Sequence, residues 1–308
     1  MALDIILLVV SIAFLWFGSD KLVESASRIA ETIGVSELVI GLTVVALGTS
    51  APEFAVTLTA AYKGYASISV GNIVGSNIFN LGFILGSVAI VRSVNVSPKL
   101  VQRDGLLMIL STLFLLLFFR DLALTFFEGL ALAVTLVLYL LFLFIKKEPP
   151  EIDEGAGPSQ RATWKDWILL PFSIAVVVLG GQLLVESASA IARAIGISDW
   201  VIGVTIVAAG TSAPEMATSL TAVIKGKHGI SAGNLVGSNL FNILGVLGLA
   251  GMLKPLTILQ SSYYSLILLT AMVIVAIAFM RTGWRISRCE GFLLVLSGMA
   301  LWAYDFLK

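Results

Sequence analysis

Two glutamates, Glu53 and Glu215, sit in near-identical apolar surroundings, "VALGTSAPEF" over Val45–Phe54 and "VAAGTSAPEM" over Val207–Met216. Each directly follows a proline, Pro52 or Pro214, and each is preceded by a Thr-Ser pair, Thr49–Ser50 or Thr211–Ser212. A proline lacks the amide N–H and its ring collides with the carbonyl four residues earlier, so the helix is expected to open over Ala46–Thr49 and over Ala208–Thr211. Main-chain carbonyls released in an apolar medium cost several kcal/mol each unless something else satisfies them. A desolvated cation does so, and carboxylate, carbonyl and hydroxyl together make the all-oxygen environment that hard cations such as Na⁺ and Ca²⁺ prefer.

A second motif recurs with the first. "GNIVGSNIFN" and "GNLVGSNLFN" supply Ser76 and Asn80 in one copy and Ser238 and Asn242 in the other. The paired glycines Gly71/Gly75 and Gly233/Gly237 have the spacing that lets membrane helices approach closely. That approach is expected to bring Ser76 and Asn80 beside Glu53, and Ser238 and Asn242 beside Glu215. Asn77 and Asn239 fall on a neighbouring face and are read as packing residues. Both motifs repeat at one offset, 162 residues, without a gap from Gly18/Gly180 to Gly86/Gly248. The chain is one module written twice.

The elements that must position these groups are membrane helices. The 308 residues are 58% hydrophobic and 12% charged, with mean hydropathy +1.01, against about 25% charged in soluble domains. Hydropathy and loop signals predict ten spans, near 2–31, 37–62, 67–93, 102–120, 123–145, 165–194, 199–224, 229–253, 259–280 and 286–306. The predicted fold is all-α integral membrane: a five-helix repeat over 1–147 (motif region 37–93), a polar cytoplasmic linker over 148–164, and a second five-helix repeat over 165–308 (motif region 199–253). Five spans is an odd number, so the second repeat enters the membrane inverted, and broken helices are expected to meet near the midplane. Thirteen of the basic residues fall in loops on one side against five on the other, which places the N- and C-termini outside a prokaryotic plasma membrane. Asp20 and Glu24 lie near Lys21 and Arg28, and Glu186 near Arg193; these are read as solvated or ion-paired, and His228 as a solvated loop residue. The long first and sixth spans carry no motif and are the natural sliding pieces.

Balanced charge, 19 basic and 19 acidic residues, argues against a nucleic-acid binder. One cysteine, Cys289, excludes an intrachain disulfide. No base stands near Ser50 or Ser212, which disfavours an intramembrane hydrolase, and so an enzyme. Two carboxylates are not the ring of equivalent groups that channels use. A proton/Ca²⁺ exchanger remains open, because buried glutamates can titrate.

On "GTSAPE…GNIVGSNIFN" and its second copy, the chain resembles the cation/calcium antiporter (CaCA) superfamily, most closely the prokaryotic sodium/calcium exchangers. The resemblance implies Ca²⁺ coordination by Glu53, Glu215, Thr49 and Thr211. It implies Na⁺ sites that add Ala46, Ser50, Ser76, Ala208, Ser212 and Ser238, with Asn80 and Asn242 at the centre. It further implies exchange of three Na⁺ for one Ca²⁺, no prosthetic group, and no partner beyond the ions and the bilayer. Asn at both central positions, where potassium-coupled relatives carry Asp, argues against K⁺ coupling. The second motif also lacks the glutamate of the proton-coupled branch.

Overall fold

The computed structural model describes residues 2–146, 161–197, 202, 206 and 208–306. Among them, seven helices are long and apolar enough to cross a bilayer, and a bent pair makes an eighth candidate. The span expected at 199–224 begins outside the described residues. That expected at 286–306 corresponds to helix α15, Arg288–Phe306. Large apolar side chains such as Leu3, Val9, Val137 and Ile145 are exposed, while the interior combines an apolar core with many buried Ser, Thr and Asn side chains. An apolar exterior suits lipid as solvent, where polar groups must find partners inside.

Element boundaries recur at the sequence offset. Helix α1 (Ala2–Ile33) is matched by α9 (Trp164–Ala194), α4 (Ala51–Lys63) by α11 (Ala213–Ile224), and α5 (Ala66–Phe79) by α12 (His228–Leu240). Short strands recur likewise: β1 (Val94–Asn95) with β3 (Leu256–Thr257), and β2 (Ala123–Leu124) with β4 (Arg285–Ile286). Each strand pairs antiparallel with the non-equivalent strand of the other repeat, Val94 with Ile286 and Leu124 with Leu256. These two pairs map onto each other under the offset, which is the pattern a two-fold relation produces.

The compact units do not follow the repeats. One comprises Met1–Pro52 and Lys146–Asn234, the other Glu53–Ile145 and Leu235–Lys308, so each draws on both repeats. In the first unit α1 and α9 pack along each other. A Cβ on Gly18 would lie 2.7 Å from Val177, and one on Gly180 would lie 3.2 Å from the Leu15 side chain, again an offset-related pair. Helix α1 also packs on α11. A segment made of α2 (Glu37–Ile40), a π-helical turn (Gly41–Val45) and α3 (Ala46–Thr49) lies against α12. A Cβ on Gly233 would come within 2.7 Å of the Leu38 carbonyl, so the expected close approach is realised there. It is not realised at Gly71 and Gly75, where an added Cβ meets nothing within 4 Å; both are exposed on α5.

In the second unit α5 runs through a π-helical turn (Asn80–Ile84) into α6 (Leu85–Val91), which packs on α15. Gly82 and Gly298 bring the backbones together, a Cβ on Gly82 lying 2.7 Å from Gly298 Cα. Helix α7 (Leu106–Phe118) packs on α14 (Gln260–Arg281), and Gly129 of α8 (Phe126–Lys146) approaches α13 (Gly248–Leu253).

Candidate ion-binding residues

The break in each motif falls on the serine, not on the stretch before it. Ser50 has φ −79° and ψ 6°, and Ser212 has φ −91° and ψ 10°. The helices on either side of Ser50 are bent by 52°. Opening over Ala46–Thr49 is therefore corrected: the Ala46 carbonyl still accepts the Ser50 N–H at 3.0 Å. The physical reason is that proline sits in the first turn of the helix that follows, where its missing N–H has no intrahelical partner to lose. The carbonyls deprived of an i+4 donor are those of Gly48 and Gly210. The same geometry puts Glu53 and Glu215 in the first turn of α4 and of α11, at the positive end of the helix dipole.

In the first unit Glu215 is fully buried and accepts from Ser50 Oγ at 3.1 Å. Ser212 is buried as the N-cap of α11, and Thr211 is 8% exposed. Thr49 Oγ donates to Asn234 Oδ1 at 3.0 Å, and Asn234 Nδ2 donates to Ser219 Oγ at 2.9 Å. Asn234 was not among the expected ligands, yet it fixes the rotamer of one that was. Its signal lay in the Gly-Asn that opens the second motif. Ala46 is buried. Ala208 heads a short helical segment, Ala208–Gly210 (α10), and its side chain lies outside the described residues.

In the second unit Glu53 is fully buried and accepts from Ser76 Oγ at 3.4 Å; the expected contact forms, but without the glycine approach that was to bring it about. Asn80, one helical turn beyond Ser76, opens a π-helical turn, and Asn242 lies in another (Phe241–Leu247). Such turns, inserted in α-helices, are frequent at functional sites, and neither was foreseen. Asn80 is fully buried, and among the described residues neither atom of its side-chain amide has a hydrogen-bond partner. Asn242 Nδ2 donates to Asn77 Oδ1 at 2.9 Å, while Asn242 Oδ1 has no hydrogen-bond partner among the described residues. Asn77 Nδ2 in turn donates to the Asn239 carbonyl at 3.4 Å. Asn77, read from sequence as a packing residue, thus holds a central asparagine in place. Ser238 is fully buried on α12.

Charged groups away from the motifs are ion-paired as expected. Lys21 bonds Glu24 at 3.0 Å, and Arg28 bonds Asp166 at 3.0 Å; Glu186 is exposed. His228 is not a loop residue: it begins α12. Another buried carboxylate, Asp104, is held by Arg103 at 2.6 Å and by the Tyr139 hydroxyl at 2.8 Å. It has no counterpart in the other repeat, where position 266 is Leu.

The family model described as sodium/calcium exchanger protein matches residues 3–145 and 165–297. The putative antiporter CaxA of Alkalimonas amylolytica is 36% identical over 313 residues, covering 98% of this chain and 97% of its own. The sodium/calcium exchanger MaX1 of Methanosarcina acetivorans is 33% identical, covering 95% of each chain. Among solved structures, the sodium-calcium exchanger NCX_Mj, soaked with zero Na⁺ and Ca²⁺, superposes with a TM-score of 0.87 at 31% identity. That match covers 100% of this chain and 99% of the other.

Proposed function

This chain belongs to the sodium/calcium exchanger protein family, and on that premise we propose that it is an antiporter driving Ca²⁺ out of the cell with inward Na⁺ by alternating access. Glu53 and Glu215 are the charged ligands. Thr49, Ser50, Thr211, Ser212, Ser76, Ser238 and the carbonyls of Ala46 and Ala208 add neutral oxygens, with Asn80 and Asn242 at the centre. The topology is ten spans in two inverted five-helix repeats in the plasma membrane, with both termini outside. The reciprocal strand pairing β1–β4 and β2–β3 supports the two-fold relation between the repeats.

One observation carries the reading: the fully buried amide of Asn80 with no hydrogen-bond partner among the described residues. An unpaired buried polar group costs about 1–3 kcal/mol, and a desolvated cation bound by the amide oxygen removes the oxygen's share of that cost. Asn242 Oδ1, buried in the same unit and without a partner among the described residues, repeats the argument. Two carboxylates match one Ca²⁺ in charge. Oxygens shared between Ca²⁺ and Na⁺ make occupancy exclusive, which is the condition for exchange rather than two independent leaks.

The test is ⁴⁵Ca²⁺ uptake into inverted vesicles with a Na⁺ gradient and a pH gradient imposed separately. Uptake that follows the Na⁺ gradient supports the proposal. Uptake that follows the pH gradient without Na⁺ replaces it with a proton exchanger.

A further inference from the structure

Helix α11 carries more polar groups on one face than the ion ligands account for. Glu215, Thr218, Thr221 and Lys225 fall at helical spacing along α11 and its C-cap. Thr218 is fully buried, and its hydroxyl has no hydrogen-bond partner among the described residues. The corresponding residue of the first repeat is Val56, which is exposed; the buried hydroxyl is particular to this copy. One turn further on, Thr221 Oγ1 and Ser19 Oγ of α1 lie 2.8 Å apart, both buried. Next to Ser19 stands Asp20, and one turn beyond it Glu24. Lys225 Nζ lies 2.5 Å from Asp20 and 2.7 Å from Glu24, and also bonds the Asp20 carbonyl at 3.4 Å. All of these residues belong to one compact unit.

We propose that Thr218 and the Ser19–Thr221 pair line an ion route from Glu215 to an acidic mouth at Asp20 and Glu24, and that Lys225 is a tethered cation closing that mouth. The inference rests on the cation-exchange reading of Glu215. A primary ammonium between two carboxylates occupies the place an arriving or departing cation would take, so cargo and plug compete for the same charges. Lys21 also bonds Asp20 and Glu24, at 3.2 and 3.0 Å, and Arg28 lies 3.8 Å from Glu24, but both sit on α1 beside these acids, and among the described residues neither ties α1 to the helix that bears Glu215. Lys225 joins α1 to the end of the helix that bears Glu215, so moving α1 along α11 must break it. The repeat offset makes the plug one-sided. The corresponding positions are Lys63, Gln182 and Glu186, one acid where this mouth has two. Charge attraction therefore favours closure at the Lys225 end, which the distribution of basic residues assigns to the cytoplasmic face.

The test uses the whole protein in inverted membrane vesicles, with the exposed Cys289 replaced by Ser and a reporter cysteine at Thr218→Cys. A membrane-impermeant cationic methanethiosulfonate, added from the Lys225 side, reads the route without needing transport. With Lys225 intact, labelling is slow. Lys225→Gln, and separately Asp20→Asn with Glu24→Gln, should raise the rate about 10-fold, equivalent to about 1.4 kcal/mol of closure. Lys225→Arg should restore protection. If Thr218→Cys does not insert, Ser19→Cys serves as reporter. Fast labelling with Lys225 intact, or rates unchanged by Lys225→Gln, overturns the plug. Labelling as expected together with absent Na⁺-dependent Ca²⁺ flux would leave the gate standing and overturn the choice of cargo.

Discussion

Replacing Glu53 with Gln isolates the charge of one proposed ligand while keeping its shape. The side chain is fully buried and accepts from Ser76 Oγ, and a glutamine oxygen can still accept that bond. At a Ca²⁺–oxygen contact near 2.4 Å, one carboxylate charge attracts a divalent ion by roughly 14 kcal/mol at an effective dielectric of about 20. Relief of the carboxylate's own desolvation and the retained amide oxygen offset most of that. Removing one partner of a buried ion pair costs about 3–5 kcal/mol, so a Ca²⁺ Kd weaker by about 10³-fold is expected. The attraction for Na⁺ is half as large, so its affinity should fall only about 30-fold. Calorimetric titration of purified Glu53→Gln with CaCl₂ and NaCl, beside ⁴⁵Ca²⁺ flux in proteoliposomes, measures both. Asp104→Asn is the control: an equally buried carboxylate, but one already paired with Arg103 and Tyr139. It should lower the melting temperature and leave Ca²⁺ affinity within about twofold, because no cargo charge is lost. Glu53→Gln with near wild-type affinity and flux would refute the assignment of Glu53 as a Ca²⁺ ligand.

Three further outcomes are expected. The three-to-one exchange that the family resemblance implies would move one net charge per cycle, worth about 2.3 kcal/mol per 100 mV; Na⁺-driven Ca²⁺ efflux should accelerate with the inside negative and ignore K⁺ at clamped potential, as valinomycin-clamped proteoliposomes would read. Asn242→Asp places a titratable group where a neutral amide now bonds Asn77, so flux should become sensitive to pH or to K⁺, measured over a pH series with and without K⁺. Gly82→Leu imports the residue found at position 244 of the other repeat, but here its Cβ would meet the Gly298 backbone at 2.7 Å; overpacking of this kind costs about 1–3 kcal/mol, and a thermal-melt assay in detergent should show the loss.

Much of this protein was written into its sequence because the relevant physics is local or repeated. A proline followed by a glutamate in an apolar run is expensive wherever it lies, and two copies at a 162-residue offset point to paired intramembrane carboxylates before any helix is placed. The Ser76–Glu53 contact was expected from the same motif, but it forms without the close approach at Gly71 and Gly75 from which it was inferred. Tertiary structure decided what depends on partners distant in the chain. Whether a glycine pair brings two backbones together depends on what lies opposite: Gly233 meets Leu38, and Gly71, of the same type and spacing, meets nothing within 4 Å. Asn77 and Asn234 became positioning residues only when Asn242 and Thr49 were brought to them. The π-helical turns at Asn80 and Phe241–Leu247 leave no mark in hydropathy, because each adds one residue to a turn within a run that is apolar in either register.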